Sequence, residues 1–136
     1  MVTVPDELAA AFNGSFVGPD DAGYDEVRAV HNGLVDKRPG LIARCQTVAD
    51  VRDAVNFGGD SGLEISVRGG GHNVAGHAVC DGGLVIDLSE LRRVELDRRA
   101  RVAFVEPGAT WGDVDRTTQP FGLAVPGGIV SSTGVA

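Results

Sequence analysis

Residues 67–77 read VRGGGHNVAGH: three consecutive glycines, then His72 and Asn73, and a second histidine, His77, directly behind Gly76. With side chains absent where the backbone turns, several N–H groups can converge on one anion. Amide donors suit a diphosphate even in an acidic chain. The two common phosphate loops do not fit. GHNVAGHA has the glycine spacing of a P-loop, but His77 and Ala78 stand where Lys and Ser or Thr are required, and Val74 occupies the last glycine position of a GxGxxG. His72, when neutral, offers a nitrogen nucleophile. From the residues alone it is either that or a turn histidine making local hydrogen bonds. His77 and the isolated His31 read more readily as turn residues. No spacing marks a metal site or a Ser-His-Asp triad, so neither is expected.

Around that loop the composition sets bounds. The chain has 136 residues and a net charge of −7, enough for one domain with a modest core. An acidic chain lacks the Lys and Arg excess needed to neutralise phosphates, which argues against nucleic acid and anionic membranes as partners. The arginines at 92, 93, 98, 99 and 101 alternate with Glu95 and Asp97 around an expected hairpin, and read as a solvated turn. No apolar run approaches the roughly 20 residues of a membrane span. The N-terminus has neither the basic start nor the apolar stretch of a signal peptide, and a cytoplasmic location is expected. Cys45 and Cys80 show no metal-like spacing. They read as two separate thiols, with a disulfide between them unfavoured in a cytosolic setting.

The elements that must position the loop follow from pattern. Pro5 and Asp6 ahead of Leu8, Ala9 and Phe12 suit a short helix, and 14–23 reads as loop. GLIARCQ suggests a short strand. Thr47 with Asp50 three residues on suggests a cap for a helix with Val48, Val51 and Val55 on one face, ending at Gly58 and Gly59. EISVR reads as the strand feeding the glycine loop and LVIDL as the buried strand leaving it. VEL and RVAFVE form a hairpin, and Thr110 with Asp113 caps a helix from Trp111 to about Gln119, stopped by Pro120. Trp111 and Phe121 are expected to fill core. The class is α+β, a small mixed sheet with flanking helices.

The run from Asp25 to Ala136 resembles the N-terminal part of the FAD-binding domain of the PCMH-type flavoprotein oxidases, the vanillyl-alcohol oxidase superfamily, in its berberine bridge enzyme-like branch. The residues that carry it are HNGLVDKRPGLIARCQTVADVRDAV, ISVRGGGHNVAGHAVCDGGLVIDLS and VEPGATWGDVDRTTQPFGLAVPGGIVSSTGVA. The resemblance implies an N-terminal extension over 1–24 and an FAD-binding domain over 25–136 that is incomplete, its remainder and the substrate domain lying outside. It implies FAD contacts from Arg68, Gly69, Gly70, Gly71, His72, Asn73, Gly76 and His77, and from Pro126, Gly127, Thr133, Gly134 and Val135. His72 would bond to the 8α-methyl carbon of the flavin. A second link through cysteine is not expected, since Val130 stands at that place. The implied reaction passes hydride from an alcohol, sugar or amine, as small-molecule substrate, to flavin N5, with dioxygen as acceptor. No catalytic residue is assigned within this chain, and little turnover is expected of it alone. The competing expectations are a truncated, non-catalytic flavin-binding remnant and a nucleotide-phosphate module without redox role.

Overall fold

The computed structural model describes residues 2–136. In chain order the elements are α1 (Asp6–Ala11), β1 (Ser15–Val17), α2 (Tyr24–Arg28), β2 (Leu41–Arg44), α3 (Val48–Asp60), β3 (Ile65–Arg68), β4 (Leu84–Asp87), β5 (Val94–Asp97), β6 (Val102–Val105) and α4 (Trp111–Thr118), followed by a 3₁₀ turn over Gln119–Phe121. The main sheet runs β1-β2-β4-β3, and β5 and β6 form a separate hairpin. β2, β4 and β3 are mutually parallel, whereas β1 pairs antiparallel to β2. This is the mixed α+β arrangement expected from the sequence.

The sheet is centred on β4, whose four residues are all buried. A strand covered on both faces reads as a continuous apolar run, and LVID is one until Asp87. Alternation then assigns the faces. Leu41, Ala43, Leu84 and Ile86 pack with Phe12, Cys45 and Ala54 in one core, while Ile42 and Val85 pack with Tyr24, Val79 and Cys80 in another. Full burial of each such Leu or Ile side chain contributes about 1.5–3 kcal/mol. Val2, Val4 and Leu8 also lie against the first core, so the N-terminal residues are knit into the same unit. Among the described residues no helix is long and apolar enough to cross a membrane.

Both expected caps are present as reciprocal boxes. The Thr47 hydroxyl accepts from the Asp50 amide, and Asp50 accepts in turn from the Thr47 N–H; Thr110 and Asp113 repeat the pattern. Several local expectations need correction. Residues 14–23 are not all loop, because Ser15–Val17 pair with Arg44–Ile42. α3 runs one residue past the expected end at Gly58 and Gly59, to Asp60. A Cβ on Gly58 would lie 2.7 Å from Ile65 Cδ1, so that glycine lets the helix sit directly on β3 and β4. The inward face of α3 is accordingly Asp50, Ala54 and Gly58, while Val48 and Val55 are exposed. Phe121, expected in the core, is also exposed, with the Arg98 guanidinium 4.6 Å above its ring. Trp111 is half-buried.

Candidate functional site

Parallel strands present their C-terminal ends together, and ligands in such sheets bind beyond those ends. Here the ends are Arg44, Asp87 and Arg68, side by side in register. Asp87 is buried between the two arginines: Arg68 Nη2 donates to its Oδ2 at 2.7 Å, and Arg44 Nε lies 3.8 Å from the same oxygen. Arg68 Nη1 also donates to the carbonyls of Val27 and Ala29, at 2.6 and 3.3 Å. The Arg68 side chain therefore ties the end of α2 to the sheet, with its guanidinium engaged inside the protein.

The chain leaves β3 directly into Gly69–Gly71. A Cβ on Gly70 would lie 2.5 Å from the Cα of Gly134, so two backbones touch with no side chain between them. Gly70 N donates to Ala136 O at 3.2 Å, and Gly134 bridges to Thr110. Val135 N reaches Ala109 O at 2.9 Å and Trp111 N reaches Thr133 O at 3.0 Å, which fixes the C-terminal segment against the start of α4. The result is a cleft of about 330 Å³ whose walls include Gly69, Gly71, His72, Asn73, His77, Thr133 and Gly134. Residues more than sixty positions apart are thus brought to one place. Pro126 and Gly127 are not among its walls. They are exposed, and Gly127 packs on the Trp111 ring.

Gly71 takes the left-handed conformation (φ 70°). Among the described residues nothing accepts from the backbone N–H groups of Gly71, His72, Asn73, Val74 or Ala75. Asn73 turns the chain back: its carbonyl accepts from Gly76 N at 3.1 Å and its side-chain oxygen from His77 N at 3.0 Å. The far limb is held from outside. Lys37 Nζ donates to the carbonyls of Gly76 and Val79, both at 3.0 Å, and Val35 packs on Gly76. On the near limb, His31 N donates to Gly71 O at 3.1 Å. Beside this cradle, His72 Nδ1 is buried without a hydrogen-bond partner.

A sequence profile described as FAD binding domain matches residues 39–136. The chain belongs to the FAD-binding domain family. It is 39% identical over 124 residues to (R)-6-hydroxynicotine oxidase of Paenarthrobacter nicotinovorans, an alignment covering 91% of this chain and 27% of that protein. The crystal structure of 6-hydroxy-D-nicotine oxidase from Arthrobacter nicotinovorans superposes with a TM-score of 0.89 at 37% identity, over 98% of this chain and 29% of the other. Glucooligosaccharide oxidase from Acremonium strictum, described with a 6-S-cysteinyl, 8α-N1-histidyl FAD, superposes at 0.83 with 32% identity, over 94% of this chain and 27% of the other. The chain thus spans about a quarter of the length of the curated relatives it matches. The resemblance to PCMH-type flavoprotein oxidases is borne out.

The geometry of this FAD-binding domain fits the group its family binds. Consecutive free amides suit a diphosphate, the backbone contact at Gly70 leaves no side chain in the way, and an orphaned imidazole nitrogen waits beside them. Three residues of the cradle were not legible as such in the sequence: Val35 and Lys37 carried no role there, and His31 read only as a turn residue. They lie within the stretch HNGLVDKR, but their contacts with 71–79 join positions about forty apart, which no local pattern signals. Cys45 and Cys80 are both free and buried, in the two different cores.

Proposed function

We propose that this chain is the flavin-holding part of an FAD-dependent oxidoreductase of the oxidase type, acting on a small-molecule alcohol, sugar or amine, with dioxygen as electron acceptor. The observation that carries the reading is His72 Nδ1, buried and partnerless at the edge of the free-amide loop. A buried nitrogen lone pair with nothing to accept costs about 1–3 kcal/mol, and a covalent bond at that atom removes the cost.

Bound FAD supplies a two-electron acceptor that takes hydride. The chain's own residues hold and orient it. The amides of Gly71 to Ala75 receive the diphosphate, which explains how an acidic chain with Arg68 already engaged can hold two phosphates. His72 Nδ1 would be the atom that tethers the flavin, at its 8α carbon, in an oxidative attachment for which dioxygen would be the final two-electron acceptor. One link is formed, because Val130 has no thiol and both cysteines are buried in the cores. The 8α-histidyl FAD of glucooligosaccharide oxidase supports this assignment by similarity.

The test is acid precipitation of the purified protein followed by flavin absorbance of the washed pellet. Retained flavin that is lost in His72→Ala supports the tether. Flavin found only in the supernatant removes the covalent link but keeps the cofactor, and no flavin in either fraction overturns the proposal.

A further inference from the structure

We propose that His31 is a positioning residue that holds the His72 imidazole in the orientation its covalent bond requires; this rests on the flavin reading above. The two rings pack against each other, with centroids 4.5 Å apart and planes tilted by 30°. His72 Nδ1 is buried without a hydrogen-bond partner, so no polar contact at that atom fixes the ring. Its orientation is set by packing: Gly70 along the edge, where a Cβ would come within 3.1 Å of Nδ1, and His31 over the face.

His31 is itself well anchored. Its amide is bonded to Gly71 O, one residue before the histidine it covers, so backbone and ring brace the same pair of residues. Behind it, the chain is tied to the far limb of the loop by Val35 and Lys37, and Arg38 N donates to Asp81 Oδ1 at 2.8 Å. The His31 side chain is exposed, so it serves no core that its removal would empty. What it contributes is a second wall for an imidazole that otherwise pivots about its Cβ–Cγ bond. A nucleophile that attacks from a fixed distance loses rate steeply when its orientation is not held.

The experiment follows covalent attachment and noncovalent affinity separately. Apo protein, unsubstituted or carrying His31→Ala or His31→Phe, is mixed with FAD, and acid-stable flavin is measured against time. Noncovalent FAD affinity is measured with and without His31→Ala in the His72→Ala background, where no bond can form. Holding the ring accounts for about a tenfold or larger slowing of attachment in His31→Ala. Noncovalent affinity should change by less than about threefold, and His31→Phe, which keeps a flat ring over His72, should recover most of the rate. Attachment by His31→Ala at the unsubstituted rate overturns the inference. So does a parallel loss of covalent and noncovalent binding, which would mean that His31 only supports the loop. Absence of flavin from the unsubstituted protein overturns the flavin reading itself and this inference with it.

Discussion

Gly70 is the residue on which the cleft depends most directly. Its neighbour across the contact is the backbone of Gly134, which cannot rotate away as a side chain end could. Gly70→Ala should therefore push the C-terminal segment off the loop, at a cost of about 1–3 kcal/mol for overpacking. Chemical denaturation should show that loss, and FAD titration should show weaker binding in the same variant. A substitution that leaves both unchanged would mean that the contact with Gly134 is not maintained in solution. The sequence displayed the glycines and His72 plainly, because consecutive glycines beside a histidine are unusual anywhere. It did not display the partner of His72, since His31 reaches it only through the tertiary fold.

At the scale of elements, Asp50 does more than cap α3. Its carboxylate accepts from Asn13 N and Nδ2 and from the amides of Gln46 and Thr47, joining three segments at the end of β2. Asp50→Ala strands several of these donors, and a loss of about 3 kcal/mol or more is expected in urea denaturation. Burial pushes the Asp50 carboxyl up, but the bonds from Asn13, Gln46 and Thr47 outweigh it and hold it below the ordinary value of 3.8. Asp113 is held lower still, by the Thr110 amide and then Arg92. Because the folded values lie below the unfolded ones, the stability both carboxylates contribute is complete well above pH 4 and lost as pH falls below about 3.8. Thermal melts between pH 6 and pH 2 should fall steeply only at the acid end, and Asp50→Asn should flatten that fall. These boxes were legible because four adjacent residues contain the whole signal. β1 was not, since three residues acquire strand character only by pairing with β2. The face of α3 was legible only in part: Val51 packs against the core, but contact with the sheet is so close that Ala54 and Gly58 turn fully inward while Val48 and Val55 stay exposed.

Across the whole molecule, the two buried cysteines sample the two faces of the sheet. Cys45 lies in the core under α3, where burial and then the charges of Asp50 and Asp87 push its thiol up to about 12. Cys80 lies in the opposite core with Tyr24 and Val79. A thiol reagent should therefore leave the native protein unlabelled at pH 7. As denaturant is added, mass spectrometry should find both cysteines labelled in one transition if the sheet unfolds as a unit. Labelling of one well before the other would show that the faces open independently. The α+β class and most of the elements followed from local patterns, whereas the strand order and the union of the glycine loop with 133–136 did not, because strand pairing and that union both join segments far apart in the chain.

Lys37 is the chain's single lysine, and its ammonium is spent on the carbonyls of Gly76 and Val79. Apart from the amino terminus, this chain thus offers amine-reactive reagents one target, located at the back of the glycine loop. Acylation there would remove the charge and compete for the very bonds that hold the loop in place. The speed of that one modification is a built-in gauge of the cradle's integrity: slow while the loop is docked, and faster in any variant that lets residues 76–79 lift away.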